Sequence, residues 1–171
     1  MLYFQFNQVA DKPDEPFDKF VDRMFAFIRE HEVAEFVIDM RENHGGNTFL
    51  VKPLIHALIR DNHLSQAGRL FVVIGRTTFS AAMNTVDFIE RNTNAVFVGE
   101  PTGTSPNFIG EIAPVTLPYS KLEASISDLY WESAWPTDHR IWTAPLLYTP
   151  PTFAAYRDNR DPALEAILAY R

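Results

Sequence analysis

The chain has no cysteine. That excludes thiol nucleophiles, disulfides and cysteine-ligated zinc. It is also short of positive charge: 15 Lys and Arg stand against 22 Asp and Glu, a net charge of −7. An acidic chain gains nothing from releasing phosphate counterions, so nucleic acid is not an expected partner. No apolar run approaches the ~20 residues needed to span a bilayer, and the opening residues do not read as a signal peptide. Internal repeats, linkers and low-complexity tracts are absent as well.

What is present suits one domain over residues 1–171. A chain of this length buries roughly 70% of the surface its unfolded form exposes. Apolar residues make up 46% of it, and fourteen phenylalanines point to a dense core. The chain begins abruptly on "LYFQF", which already reads as a strand, so an N-terminal truncation with a leader or domain upstream is expected. Phe17, Phe20, Val21, Met24, Phe25 and Ile28 fall at helical spacing. Phe36-Val37-Ile38, Leu70 to Ile74 and Ala95 to Val98 are short continuous apolar runs, as in strands buried on both faces. Between them lie a stripe from Leu50 to Ile59 and a helix over 80–91. Strand and helix alternate, which predicts an α/β fold with a parallel sheet and right-handed crossovers. "EIAPVTLP" and "KLEASIS" read as two strands joined around Tyr119-Ser120. Residues 131–160 read as irregular, and Asp161-Pro162 opens a closing helix.

Ligands of parallel sheets bind beyond the strand C-termini. Three loops leave such ends: Asp39 to Asn47, Gly75 to Ser80 and Gly99 to Gly110. Ser80 stands where strand gives way to helix, before Ala81-Ala82. Two readings of it remain open. A serine here commonly caps the helix. It could instead present its hydroxyl to a cleft, with the free first-turn amide of Ala81 and the unhindered N–H groups of Gly45-Gly46 as donors for an oxyanion. Asp39 and Arg41 fit an ion pair bracing their loop. His44 lies inside that loop and is either a substrate contact or a solvent-exposed residue. His31-Glu32 lacks the second histidine of a zinc motif, His56 and His63 read as surface residues, and no metal or cofactor site is expected.

Asp39-x-Arg41-x-Asn43-x-Gly45-Gly46, then "TTFSAA", then Gly99-Glu100-Pro101-Thr102-Gly103 and the ending "RDPALEAIL" resemble the tail-specific, or C-terminal-processing, serine proteases, from about residue 2 to 170. That resemblance implies a ClpP/crotonase-like core with parallel strands, crossover helices, a C-terminal β-rich segment and a closing helix. It also implies endopeptidase activity without a metal. Ser80 would be the nucleophile, Gly46 and Ala81 the oxyanion donors, and Gly45, His44, Gly103, Ser105 and Asn107 substrate contacts. The family's basic lysine is missing, because its place falls on Ser105. The tricorn-like branch uses an earlier histidine and a late acid instead. Asp138 stands at about the place of that acid, with His139 beside it as a weaker base, and the histidine would lie before residue 1.

Three functions follow: a serine-type peptidase acting on peptide or protein substrates, a peptide-binding module that has lost its base, and a crotonase-type acyl-CoA enzyme. The last ranks lowest, since no basic patch awaits the nucleotide phosphates. The sequence does not fix the compartment, and a signal peptide preceding the fragment would make it extracytoplasmic.

Overall fold

The computed structural model describes residues 1–170. Its centre is a five-stranded parallel sheet of β1 (Leu2–Gln5), β2 (Phe36–Asp39), β3 (Leu70–Ile74), β4 (Val96–Gly99) and β9 (Leu147–Tyr148), in the order β1-β2-β3-β4-β9. Each of the first three crossovers carries a helix: α1 (Phe17–Glu30), α2 (Lys52–Arg60) and α3 (Ala81–Asn92). Neighbouring strands are joined in sequence order, so one handedness puts all three helices on one face.

β2, β3 and β4 are buried at every position. Successive side chains go to opposite faces. Phe36, Ile38, Leu70, Val72, Ile74 and Phe97 join the core under α1, α2 and α3. Val37, Phe71, Val73, Val96 and Val98 pack beneath α5 (Pro162–Ala169). Two covered faces explain why these strands read as unbroken apolar runs rather than alternating ones. Phe6 stacks on both Phe4 and Phe17 at 5.0 Å between centroids, closing the β1 side of the core.

After β4 the chain leaves the sheet as a long hairpin arm. β5 (Asn107–Gly110) pairs antiparallel with β8 (Leu129–Glu132), and further out β6 (Ala113–Thr116) pairs with β7 (Glu123–Ile126). The expected strands around Tyr119-Ser120 are β6 and β7. β5 and β8 extend the arm to the sheet, where the sequence suggested loop. The segment expected to be irregular also holds β9 and a short helix, α4 (Phe153–Arg157). β9 has only two residues and α4 only five. Neither is long enough to show a period, and tertiary pairing makes them.

Candidate active site

Asp39 ends β2 and turns its buried carboxylate back onto its own loop. It accepts from the Arg41 backbone N–H at 3.0 Å and from the Arg41 guanidinium at 2.9 Å, and the Tyr3 hydroxyl also donates to it. Arg41 reaches on to Asp161 at 2.7 Å, and Asp161 in turn accepts from Ala163 N and Leu164 N as the cap of α5. Burial and the bond to Asp39 push the Tyr3 hydroxyl up to about 12, so it stays a donor. Burial opposes ionisation of Asp161, but the bond to Arg41 wins and holds its carboxyl below the usual range. The Asp39–Arg41 pair therefore braces the loop, as its spacing suggested.

The next residues fix a glycine bend. Buried Asn43 donates to Phe6 O at 2.6 Å and accepts from Gly45 N at 2.9 Å. Val9 N donates to Gly45 O, and Asn47 N to Val9 O, which leaves the Gly46 N–H with no partner among the described residues. Gly45 has φ +103° and Gly46 φ +137°, backbone that side chains rarely tolerate.

The turn after β3 is stitched to this bend. The Thr78 hydroxyl accepts from Gly75 N and donates to Met40 O at 2.9 Å. Thr77 donates to Arg41 O, and Phe79 N to Asn43 O at 3.1 Å. Gly103 N donates to Thr78 O, which ties in the third loop. A Cβ placed on Gly45 would lie 2.6 Å from Ser80 Cβ and 2.9 Å from Ala81 N. The serine turn and the diglycine bend are thus in direct contact, and all three loops converge at one end of the sheet.

Ser80 does not cap α3. Its side chain makes no hydrogen bond to the helix or to any other described residue, and its backbone sits at φ 57°, ψ −129°. That conformation lies outside the regions allowed to residues with a Cβ and costs about 1–3 kcal/mol. Such a sharp strand-to-helix turn lifts the side chain clear of the helix end, and Ser80 is half-exposed while Ala81 behind it is buried. The Ala81 N–H is without an acceptor among the described residues, as a first-turn amide can be.

The other expected site residues divide. His44 is exposed on the bend. Gly103 packs against the backbone of Arg76. Ser105 donates to Asn107 O within its own loop. The Asn107 side chain is already engaged, donating to Trp135 O at 2.9 Å and accepting from Ala134 N at 3.1 Å, so it ties the arm to the following segment. Asp138 is not brought to Ser80. It pairs with Arg140 at 2.7 Å, and Arg140 pairs with Glu90 on α3, ten residues beyond the serine, or about 15 Å of helix. The bond from Arg140 holds the Asp138 carboxyl below its ordinary range. A cavity of about 340 Å³ opens at the ends of β3 and β4, lined by Arg41, Gly75, Glu100 and Asp161 among others, but it lies toward α5 and excludes Ser80.

Nothing in the residue pattern singles out Asp87. It is fully buried on α3, and neither carboxylate oxygen has a hydrogen-bond partner among the described residues. Burial, then the nearby Glu90, raises it from 3.8 to about 8, against the opposing pull of Arg140 and Arg91. The folded protein thus keeps a proton that the unfolded chain releases near its ordinary value. Stability is fully present below that ordinary value and is lost as pH rises through about 8. Asp87→Asn is expected to flatten this decline and to exceed the parent by about 1–2 kcal/mol at pH 9, read by urea unfolding at pH 5, 7 and 9. Parallel pH profiles for the two proteins would contradict it.

No family model matches the chain, and no curated protein matches it either. Solved structures do. A Bacteroides fragilis protein described as an S41 protease aligns over 98% of this chain and 53% of its own, at TM-score 0.65 and 15% identity. A Parabacteroides merdae protein described as a peptidase gives 98% and 59%, at 0.67 and 14%. Mature CPAF in complex with lactacystin gives 98% and 50%, at 0.70 and 12%. The chain spans about half the length of these structures. It has the fold of the S41, or tail-specific, peptidases: a mixed α/β architecture with a parallel five-stranded sheet and crossover helices. Among the described residues, no helix is long and apolar enough to cross a membrane.

Proposed function

We propose that the chain is the catalytic core of a serine-type endopeptidase, with Ser80 as its nucleophile. The observation that carries this is the Ser80 backbone at φ 57°, ψ −129°, packed against Gly45 and holding a hydroxyl that caps nothing. Strain of this kind persists only where surrounding structure enforces it, and it collects at reactive sites. The shared peptidase fold supports the same reading.

In the reaction, Ser80 Oγ bonds to the carbonyl carbon of a peptide as its proton passes to a base. The carbonyl oxygen takes the negative charge and is held by the N–H groups of Gly46 and Ala81. The C–N bond then breaks and the amine leaves with the proton. Water repeats the attack and frees the acid. Each oxyanion donor is worth about 3–4 kcal/mol in enzymes where one has been removed. Serine needs a base to react usefully, and that base is unassigned: among the described residues no imidazole or amine hydrogen-bonds to the Ser80 hydroxyl. Asp138 stays the candidate late acid only if the segment carrying it moves from α3.

A fluorophosphonate tests this. The longest natural chain is expected to take up one equivalent, mapped by mass spectrometry to Ser80 and lost in Ser80→Ala. Labelling that survives the substitution removes the assignment. One observation favours a second reading, a module that binds peptides without cleaving them: no described imidazole or amine touches the Ser80 hydroxyl. Peptide binding without turnover by the full chain would support it.

A further inference from the structure

Four aromatic residues link the serine turn to the glycine bend by way of the base of the arm. Phe79, the residue before Ser80, lies 6.0 Å from Phe108 between centroids. Phe108 is the cross-strand partner of Trp131 at the base of the arm. Trp131 lies 6.4 Å from Phe49, which belongs to the single 3-10 turn Thr48–Val51 that follows the Gly45-Gly46 bend. Gly110 leaves room for both middle side chains, since a Cβ there would meet Trp131 at 2.9 Å and Phe108 at 3.0 Å. The middle of the run is covered, with Phe108 6% exposed, but its ends are open: Phe79 is 44% exposed and Phe49 67%.

We infer that these four rings form the wall that receives a bulky apolar side chain of the peptide, on the residue whose carbonyl Ser80 attacks. The inference rests on the Ser80 reading and names the substrate class for it. The two open ends belong to the same two loops that carry the hydroxyl and the Gly46 donor. A side chain on the α-carbon next to a carbonyl gripped between those loops is then placed beside the open rings that flank it. The charge nearby selects against one alternative. The Lys52 ammonium stands 5.7 Å over the Phe49 ring, which repels a lysine or arginine side chain. Rings of this size left in water are covered by an apolar group at a gain, and hydrophobic pockets discriminate between side chains by tenfold or more for each methylene or so of difference.

The test uses a set of peptidyl diphenyl phosphonates that differ only in the side chain next to phosphorus: Phe, Leu, Ala or Lys. The Phe and Leu probes are expected to modify Ser80 at least about tenfold faster than the Ala probe, with the Lys probe slowest. Phe49→Ala and Phe79→Ala, checked for folding by their thermal midpoints, are expected to bring the Phe-to-Ala ratio close to one. Equal rates for all four probes on the parent protein would overturn the wall while leaving Ser80 in place. If no phosphonate reacts, and a fluorophosphonate without a side chain does not react either, it is the Ser80 reading that falls. The wall is then judged by peptide affinity, followed through tryptophan emission. Indifference to a Phe-for-Ala exchange in the peptide would overturn it.

Discussion

Ser80→Gly is expected to give a protein that is inert to fluorophosphonates and yet more stable than its parent. The loss of labelling is complete because glycine removes the oxygen that would attack. The gain in stability comes from the backbone. Serine at φ 57°, ψ −129° pays for its Cβ, about 1–3 kcal/mol for such conformations. Glycine removes that penalty but loses more conformational freedom on folding, about 0.5–1 kcal/mol. The net expectation is about 1 kcal/mol in favour of Ser80→Gly over Ser80→Ala, which keeps the Cβ and the strain. Urea unfolding of the two variants side by side reads the difference, and equal midpoints would show that the turn stores none. A stability gain at the cost of function marks a site held in a conformation it would not choose.

Gly45→Ala is expected to cost about 3–5 kcal/mol, a large part of the roughly 5–15 kcal/mol that stabilises an ordinary domain. Two penalties add. At φ +103° a side chain strains the backbone, by about 1–3 kcal/mol. The new methyl would also meet Ser80 Cβ at 2.6 Å and Ala81 N at 2.9 Å, and overpacking of that kind costs typically 1–3 kcal/mol. Neither neighbour is the far end of a flexible side chain, so relief requires the serine turn to move. Any folded fraction is therefore expected to react with fluorophosphonate at a strongly reduced rate. A Gly45→Ala protein with parental stability and labelling would mean that the bend and the serine turn do not touch as described.

The order of the core was legible because its strands are covered on both faces. Unbroken runs such as Leu70 to Ile74 cannot be half-exposed, and the helical stripes between them leave little choice but parallel crossovers. The convergence of three loops was readable from the rule that ligands sit at strand C-termini. The arm was half legible: β6 and β7 were visible, while Asn107 to Gly110 read as loop, because their partner lies some twenty residues away and no local period announces the pairing. Ser80 read more readily as a cap than as a nucleophile. Residue type leaves both readings open, and what the structure adds is a positive φ and the absence of a cap bond. The aromatic wall went unnoticed because Phe49, Phe79, Phe108 and Trp131 are scattered along the chain and are gathered only by the arm folding back. Asp138 attracted attention by its position in the order of motifs, and its partner Arg140, two residues on, holds it at the Glu90 turn of α3 instead.

The central claim is that one carbonyl can sit between the Ser80 hydroxyl and the N–H groups of Gly46 and Ala81. A crystal structure of the fluorophosphonate adduct measures it directly. The account predicts phosphorus bonded to Ser80 Oγ, with its phosphoryl oxygen about 2.7–3.1 Å from both amide nitrogens. An adduct on another residue, or a phosphoryl oxygen turned to solvent with both amides unused, would contradict it.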